Sequence, residues 1–324
     1  MDQRTTLHSP PETPREFGFW LDGAWEGGRP LFERASPGHG VAVTRTQKCT
    51  VADLDAAVAA ARRAFVDRSW AGLSGADRAG VLLRTAEILR HRRDELAYWE
   101  VLENGKPISQ AKGEIDHCIA CFEVGAGAAR LLHGDSFNSL GDGLFGMVLR
   151  EPVGVVGLIT PWNFPFLILC ERVPFILASG CTMVVKPSEV TSATSLMLGG
   201  ILAEAGLPKG VYNVVTGSGR SIGQALTEHP DVDMLSFTGS TAVGRSVVHA
   251  AADSNFKKLG LELGGKNPII VFSDADLEDA ADGAAFGISF NTGQCCVSSS
   301  RLIVDARVAD EFEAILVQKM KKIV

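Results

Sequence analysis

Two adjacent cysteines, Cys295 and Cys296, stand in the small-residue stretch FNTGQCCVSSSR of a chain with 7 cysteines. A cysteine thiolate is a strong nucleophile, so a reactive sulfur here would attack an electrophilic carbon. A disulfide between the two is disfavoured because neighbouring Cα atoms lie about 3.8 Å apart, below the usual disulfide span of about 4.4–6.8 Å. The residues alone leave open which sulfur reacts and which only packs.

An acidic residue, Glu262, stands in the apolar and glycine-rich run LELGGKNP. Burial there would favour the protonated carboxyl, and the glycines would let the backbone pass close to a ligand. The alternative is a core carboxylate held in a salt bridge, and the run itself does not decide between the two.

Polar side chains follow two runs that have the pattern of buried strands. Asn163 lies in TPWNFP, and Lys186 and Glu189 lie in VVKPSE. In an open parallel sheet, ligands bind beyond the carboxyl ends of the strands. Each residue also has an ordinary interpretation, in which Asn163 caps a helix or closes a turn and the two charges are solvated loop residues.

Two further strand-to-helix junctions are rich in glycine, VVTGSGRSIG and LSFTGSTAVG. Neither matches G-x-G-x-x-G, so each alone is also compatible with an ordinary tight turn. Backbone amides at helix N-termini bind phosphate, and two such junctions in one sheet favour a nucleotide site.

Cys118 and Cys121 have C-x-x-C spacing beside His117, yet they lie in a helical pattern from about Ser109 to Leu132 without a second ligand pair. Thiols that pack in the core are therefore favoured over a metal or redox site. No metal site is predicted.

The elements that must position these groups follow from capping signals and periodicity. The runs Thr50-Val51-Ala52-Asp53 and Ser74-Gly75-Ala76-Asp77 resemble capping boxes, and each opens a stretch with apolar residues at helical spacing. They predict a mainly helical first third behind a loose N-terminal arm. The final run, VADEFEAILVQKMKKIV, predicts an amphipathic helix.

From Val153 onward, β-rich runs alternate with helical segments: VVGLIT, TMVVK, VYNVV, DMLSF, KKLGLEL and NPIIVF. This alternation predicts an α/β fold with a mostly parallel, doubly wound sheet. Before it, two strand-like runs joined at Gly141-Asp142-Gly143 predict a hairpin.

Composition limits the classes of partner. With 324 residues, 46% hydrophobic and 21% charged, the chain is long enough for two domains. A formal net charge of -7 offers no basic face, so nucleic acid is excluded as a partner. Prolines and charges interrupt the most apolar stretch, so no membrane span is predicted. Scattered cysteines and the lack of a secretory segment favour a cytoplasmic protein.

Five segments resemble, in their order and spacing, the motifs of the NAD(P)-dependent aldehyde dehydrogenase family. They are TPWNFP, CTMVVKPSE, FTGSTAVGR, LELGGKNP and NTGQCCVSSSR. The resemblance covers nearly the whole chain but only the front part of the family's pattern. It implies an enzyme that oxidises a small-molecule aldehyde to a carboxylic acid, with hydride transfer to NAD, through a cysteine thiohemiacetal and a thioester. The resemblance does not exclude NADP as the cofactor of this enzyme.

The same resemblance implies the catalytic residues. It makes Cys296, two positions after the Gln of the G-Q motif, the nucleophile and leaves Cys295 as a packing residue. It implies that the Asn163 amide and the Cys296 backbone N–H hold the oxyanion of the adduct, and that Glu262 activates the water that hydrolyses the thioester. Because a free thiol has a pKa of about 8.5, Cys296 is expected in an electropositive or hydrogen-bonding setting.

A set of NAD contacts is also implied by the resemblance. Lys186 and Glu189 match the positions that hold the adenine ribose, where a carboxylate repels a 2′-phosphate and favours NAD over NADP. Ser240 would meet the pyrophosphate. The implied cofactor-binding residues are Thr160, Pro161, Trp162, Lys186, Pro187, Ser188, Glu189, Gly219, Gly223, Phe237, Thr238, Gly239, Ser240, Gly244 and Leu263.

For the fold, the resemblance implies a Rossmann-like NAD-binding domain in two segments, residues 1–132 and 153–265. Residues 133–152 would form an oligomerisation hairpin that pairs subunits into a homodimer or homotetramer. Family members continue past residue 324, so residues 266–324 are expected to be an incomplete catalytic domain. That domain would lack the later Glu-x-Phe-Gly-Pro motif, on which turnover is expected to depend.

Two other functions stay open: an acylating or esterase-like thiol enzyme, and a non-catalytic relative that binds NAD without reaction at its thiol. Acylating relatives commonly lack the glutamate found here as Glu262, so its presence favours hydrolysis to a free acid. At the substrate funnel that the resemblance implies stand Phe164, Phe166 and Glu171. Glu171 would either favour a cationic aldehyde or pair with the neighbouring Arg172.

Overall fold

The computed structural model describes residues 9–323, which divide into two compact units. The first unit runs to Thr238 and also includes Ala242–Leu261. The second unit comprises Gly239–Thr241 and the chain from Glu262 onward.

The first half of the described chain contains short strands and long helices. Its strands are β1 (Arg15–Phe17), β2 (Phe19–Leu21), β3 (Ala24–Glu26), β4 (Leu31–Ala35), β5 (Ala42–Gln47), β6 (Asp135–Phe137) and β7 (Gly146–Val148). Its helices are α1 (Val51–Val66), α2 (Gly75–His91), α3 (Arg93–Asn104) and α4 (Ile108–Leu131). None of the helices described in either unit has an apolar stretch long enough to cross a bilayer.

Strands and helices alternate in the remainder. The strands are β8 (Val155–Ile159), β9 (Thr182–Lys186), β10 (Tyr212–Val214), β11 (Met234–Thr238), β12 (Lys258–Glu262), β13 (Asn267–Val271) and β14 (Ser299–Val304). The helices are α5 (Pro165–Cys170), α6 (Val173–Ala178), α7 (Ala193–Glu204), α8 (Gln224–Glu228), α9 (Thr241–Asp253), α10 (Leu277–Ser289) and α11 (Ala309–Met320). A π-helical turn (Gly219–Gly223) precedes α8, and a 3-10 turn (Phe290–Gly293) follows α10.

A seven-stranded sheet with the strand order β12-β11-β8-β9-β10-β2-β3 forms the centre of the first unit. Strands β11, β8, β9 and β10 are parallel to one another, whereas β2 and β3 continue the sheet in antiparallel pairs. Every residue of β9 is buried, as expected for a parallel strand that is covered on both faces. The predicted α/β fold with a mostly parallel sheet is confirmed.

Most predicted elements are found, with two corrections. The loop at Gly141-Asp142-Gly143 joins the antiparallel hairpin of β6 and β7 as predicted. The predicted loose arm, residues 1–17, ends in β1, and its first eight residues lie outside the described part of the chain. The prediction of a mainly helical first third is wrong for residues 15–47, which contain β1 to β5, strands of only three to six residues. The run NPIIVF, predicted as part of the main sheet, forms β13 and pairs in parallel with β14 in a separate two-stranded sheet.

Both predicted capping signals begin helices. The Thr50 hydroxyl accepts a hydrogen bond from the Asp53 N–H, and the Asp53 carboxylate accepts one from the Thr50 N–H at 2.7 Å. Ser74 accepts a hydrogen bond from the Asp77 N–H at 3.1 Å. These contacts satisfy amides that have no partner within the first turn of α1 and α2.

Cys118 and Cys121 lie on α4 and are buried in the first unit. Burial raises the pKa of Cys118, and it raises the pKa of Cys121 to about 11. A buried neutral thiol packs as a small apolar group. The prediction that both cysteines are packing residues is confirmed.

A buried ion cluster lies between α3 and α4. The fully buried Lys106 ammonium is 2.5 Å from a carboxylate oxygen of Glu114 and 3.6 Å from one of Glu100. Thr194, in the first turn of α7, donates its hydroxyl hydrogen to the other Glu100 oxygen at 2.7 Å. Burial raises the pKa of Glu114, and the Lys106 charge opposes that rise. One cation therefore compensates two acids whose desolvation is costly.

Replacing this cation tests the cluster. We expect Lys106→Met to lower the free energy of unfolding by about 3–5 kcal/mol at about pH 8, because two buried acids lose their partner. Since burial raises the pKa of Glu114 in the folded protein, protonation relieves the loss, and the deficit should shrink toward about pH 5. Urea unfolding at both pH values measures this.

A matched control removes a surface lysine from α4. Lys112 pairs with Asp94 at 2.9 Å, where the Asp94 side chain is 72% exposed. Lys112→Met should cost at most about 1 kcal/mol, because solvent screens an exposed pair. Equal costs for the two variants would contradict a structural role for the buried cluster.

Candidate active site

A row of residues in register marks the carboxyl edge of the parallel strands. Ile159, the last residue of β8, pairs with Lys186 of β9 on one side and with Phe237 of β11 on the other. The Thr160 N–H donates to the Lys186 carbonyl at 3.2 Å just before the chain leaves the sheet. Because parallel strands end on one side, the loops after them are gathered at this edge.

Lys186 and Glu189 form an ion pair at this edge, with Nζ 3.2 Å from Oε2. The Lys186 side chain is only 4% exposed, which excludes the alternative of a solvated loop lysine, whereas Glu189 is 45% exposed. Burial lowers the pKa of Lys186, and the Glu189 carboxylate opposes that change. Between them, Pro187 is buried and Ser188 is half-buried.

A cleft of about 730 Å³ lies in the first unit. Four of the predicted cofactor-binding residues line it: Glu189, Gly219, Gly223 and Phe237. A Cβ atom added at Gly219 or Gly223 would meet no protein atom within 4 Å, so the backbone at both glycines borders open space. Such a glycine-lined wall suits the close approach of a phosphate-bearing ligand.

The cleft also contains residues that the sequence analysis missed, among them Ile159, Arg220 and Ser246. Arg220 directly follows Gly219 in the glycine cluster, so its charge next to a suspected phosphate turn was a usable signal. Ser246 lies on α9, and its spacing from the glycine junction carried no such signal. Ile159 is an apolar strand end, and only the register of the sheet places it here.

The loop after β8 carries four predicted site residues: Thr160, Pro161, Trp162 and Asn163. Thr160 is buried, and nothing in the described part of the chain forms a hydrogen bond with its hydroxyl oxygen. Phe164, the residue after Asn163, is the N-cap residue of α5. Asn163 itself is half-buried.

Four further predicted cofactor residues lie at the end of β11 or after it: Thr238, Gly239, Ser240 and Gly244. Gly244 is buried within α9. In the second unit, the Gly239 N–H donates to the Glu262 carbonyl at 3.0 Å, and the next residue, Leu263, is half-buried. This hydrogen bond ties the start of the glycine-serine junction to the end of β12.

The Glu262 side chain is exposed, so the prediction of a buried acid is wrong. The reason is topological, since β12 is the outermost strand of the seven-stranded sheet and its two end residues are exposed. An edge strand can carry an apolar and glycine-rich sequence without being covered on its open side.

The two adjacent cysteines follow a strained turn in the second unit. Asn291 and Thr292 have φ angles of 51° and 55°, in the left-handed region that residues other than glycine rarely adopt, and Gly293 follows at 77°. Strain of this kind is often found at functional sites. Beyond the turn, Cys295 is half-buried and Cys296 is exposed.

The cysteine loop packs against the LELGGKNP run within the second unit. The Asn267 side-chain nitrogen donates to the Cys296 carbonyl at 3.1 Å, although the two residues are 29 positions apart. A Cβ atom at Gly265 would lie 3.3 Å from the same carbonyl oxygen, a tight contact that glycine avoids. The glycine run thus approaches the chain itself closely, and its approach to a ligand stays a prediction.

The surroundings of the Cys296 sulfur favour the thiol over the thiolate. Partial desolvation raises the pKa of Cys296, and negative charge on Cys295 or Glu262 adds to the rise. Backbone N–H groups of Cys296 and Val297 oppose the rise. The electropositive setting expected for this sulfur is thus not provided by the groups that act on it in the described chain. No cluster of three or more metal-ligating side chains is found within residues 9–323.

Comparison with known proteins identifies the family. The model of the aldehyde dehydrogenase family matches residues 25–324. The chain is 43% identical over 291 residues to aldehyde dehydrogenase family 2 member C4 of Arabidopsis thaliana, a match that covers 90% of this chain and 58% of that protein. The chain belongs to the aldehyde dehydrogenase family, as its motifs predicted.

Solved structures agree with this assignment. An NAD-dependent aldehyde dehydrogenase from Sinorhizobium meliloti is similar with a TM-score of 0.94 and 47% identity, over 99% of this chain and 63% of that one. An NADP-dependent enzyme of E. coli gives 0.92 and 37%, over 95% of this chain and 64% of that one. The chain thus spans less than two thirds of the length of these relatives.

The state of the Cys296 sulfur can be measured by alkylation. In a Cys295→Ser protein, the rate of Cys296 alkylation by iodoacetamide should rise with pH through a midpoint above that of a free thiol, about 8.5. Glu262→Gln should lower the midpoint, because it removes a negative charge that opposes the thiolate. Glu278→Gln, which changes an acid paired with Lys319 in the same unit, should leave it unchanged. A wild-type midpoint below that of a free thiol would refute this.

Proposed function

We propose that the protein catalyses the oxidation of a small aldehyde to a carboxylic acid with NAD as the hydride acceptor. The observation that carries the proposal is the cleft of the first unit, which is lined by Glu189, by two glycines of the π-helical turn and by Phe237 of β11. Membership of the aldehyde dehydrogenase family supports the same reaction. The exposed Cys296, after a strained turn, supplies a nucleophile of the required type.

The residues of the cleft fit a dinucleotide. The cleft has a volume of about 730 Å³, which is ample for a nucleotide. The free space beside the backbone of Gly219 and Gly223 leaves room for phosphates. Glu189, held by Lys186, would accept hydrogen bonds from ribose hydroxyls. NAD is the favoured cofactor, because a carboxylate repels a 2′-phosphate. Arg220 in the same cleft provides a positive charge, so NADP is kept as a second cofactor.

The proposed reaction begins at the Cys296 sulfur. Its thiolate would add to the aldehyde carbon and form a thiohemiacetal, since a bare aldehyde does not readily release hydride. By the family resemblance, the Asn163 amide and the Cys296 backbone N–H would stabilise the negative oxygen. Bound NAD supplies the acceptor for the hydride that leaves the same carbon. The remaining acyl group is then a thioester on Cys296.

Glu262 would complete the cycle. Its carboxylate would take a proton from water, and the hydroxide so formed would displace the Cys296 sulfur from the acyl carbon. The products would be the carboxylic acid and the free thiol. Exposure of Glu262 supports this role, because the group that activates water must be accessible to it.

The substrate is proposed only as a small aldehyde. Glu171 pairs with Arg172 at 3.2 Å, so its charge is already compensated within the first unit. The pair supports the prediction of an internal partner for Glu171 and gives no support to selection of a cationic aldehyde. Phe164 and Phe166 are buried.

Assembly and location are also proposals. The hairpin of β6 and β7 exposes several apolar side chains, including Phe137, Phe145 and Met147, which supports a subunit-pairing role in a homodimer or homotetramer. All 7 cysteines are free, which supports a cytoplasmic location. Residues 1–132 with 153–265 are proposed as the NAD-binding domain, and the segment from residue 266 as part of the catalytic domain.

The nucleophile is tested by replacing each cysteine of the pair. In the full-length protein, Cys296→Ser should abolish NADH formation, lowering kcat by at least about a thousandfold, whereas Cys295→Ser should keep most of it. The measurement is absorbance of NADH with betaine aldehyde, aminobutyraldehyde, succinic semialdehyde and benzaldehyde as substrates. Equal losses of NADH formation in the two variants would refute Cys296 as the nucleophile. Product formation only with coenzyme A, or only from esters, would indicate the acylating or esterase-like alternative.

Cofactor choice is tested by binding, without turnover. Glu189→Gln keeps a hydrogen-bond acceptor for Lys186 but removes the negative charge, so it should raise the affinity for NADP relative to NAD about tenfold, or ~1.4 kcal/mol. Calorimetric titration with each nucleotide gives the ratio. The control is Glu228→Gln, which changes another acid that lines the same cleft and should not move the ratio. An unchanged ratio in Glu189→Gln would show that the ribose is held elsewhere.

A further inference from the structure

Asn104 joins the end of α3 to the loop that follows β8. It is the last residue of α3 and is 6% exposed. Its side-chain nitrogen donates to the carbonyl oxygen of Trp162 at 2.8 Å and to that of Asn163 at 3.3 Å. One amide group therefore holds two successive carbonyl groups of the loop.

These two carbonyls belong to the peptide planes on either side of the Asn163 Cα atom. A peptide unit is planar, so fixing the direction of its carbonyl fixes the whole plane. With both planes held, the φ and ψ angles of Asn163 are fixed, and with them the direction of its Cα–Cβ bond. We propose that Asn104 is a positioning residue, which sets the direction of the Asn163 side chain by holding the backbone on both sides of it.

The geometry requires a donor at this end of the Asn104 side chain. Both partners are carbonyl oxygens, which only accept hydrogen bonds, so the amide nitrogen must face them. A carboxylate of the same shape would place a negative oxygen against two carbonyl oxygens. The requirement distinguishes Asn104 from a residue that merely fills space, because an isosteric acid fills the same space.

Asn104 is itself held by its neighbours in the chain. Glu103 accepts hydrogen bonds from the Thr44 hydroxyl at 2.5 Å and from the Ala193 N–H at 3.0 Å. Gly105 adopts a φ of 86°, and a Cβ atom there would lie 2.8 Å from Pro37, so the turn needs glycine. The support behind the loop is thus anchored to β5 and to the start of α7.

A second contact from the same segment reaches the next loop residue. The Lys106 ammonium lies 4.9 Å from the centre of the Phe164 ring, within the range of a cation–π interaction. The segment 103–106 therefore contacts three consecutive loop residues, from Trp162 to Phe164. The inference rests on the proposed function only in giving Asn163 its role in oxyanion stabilisation.

The test compares two isosteric variants of the full-length protein, Asn104→Asp and Asn213→Asp. Asn213 is also buried, and its side-chain nitrogen donates to the carbonyls of Met183 at 3.2 Å and Gly210 at 2.7 Å, away from the loop. Each variant thus removes one donor from two backbone acceptors. Deuterium exchange of the amides in residues 160–166, followed by mass spectrometry, measures how firmly the loop is held.

We expect Asn104→Asp to speed exchange in residues 160–166 at least about tenfold, while Asn213→Asp leaves that segment unchanged and lowers the melting temperature by a similar amount. In single-turnover mixing with NAD and benzaldehyde, Asn104→Asp should slow NADH formation about a hundredfold, the cost of a displacement of about 1 Å. Asn104→Asp should regain rate relative to wild type as the pH falls, because a protonated carboxyl can donate.

The outcomes separate the inference from the proposed function. Unchanged exchange at residues 160–166 in Asn104→Asp, or equal acceleration in Asn213→Asp, would overturn the positioning role. Faster exchange with an undiminished rate of NADH formation would support the positioning role and refute the role proposed for Asn163. Faster exchange together with the slower rate supports both.

Discussion

The burial of the parallel strands on both faces of the sheet is the constraint on which the rest of the structure depends. Every residue of β9 and nearly all of β8 is buried, so polar groups can emerge only where these strands end. The register then decides which groups meet, because Ile159 pairs with Lys186 on one side and with Phe237 on the other. The Lys186–Glu189 ion pair and the loop that bears Asn163 therefore lie at the ends of these paired strands. Strand pairing thus brings Ile159, Lys186 and Phe237 together from distant segments of the chain.

The loops at this edge are held by buried polar groups as well as by packing. Glu103, Asn104 and Lys106 bond to other elements from the interior of the first unit, and burial raises the pKa of Glu103 to about 7. Buried polar groups cost free energy unless each has a partner, so such a network permits few alternative arrangements. An apolar core would tolerate small shifts of the loop more easily. A polar support therefore specifies position at a place where a displacement of about 1 Å matters for catalysis.

The sequence pattern failed to predict β1 to β5, three of which have only three residues and therefore show little alternation of apolar and polar residues. It also misjudged Glu262, because an apolar neighbourhood along the chain says nothing about whether the strand lies at an edge. Asn104 was missed for a related reason, because its partners in the loop after β8 are set by tertiary contacts, which neither spacing nor composition records.

The state of the Cys296 sulfur places a condition on the proposed chemistry. Desolvation and nearby negative charge raise the pKa of Cys296, so they favour the thiol over the thiolate. A thiolate formed only when substrate is bound is more basic than one held at low pKa, and a more basic thiolate is the stronger nucleophile. The cost is that a base must remove the proton first. Glu262 adds to the rise in the Cys296 pKa, but desolvation is the largest cause, so this condition holds with or without that carboxylate.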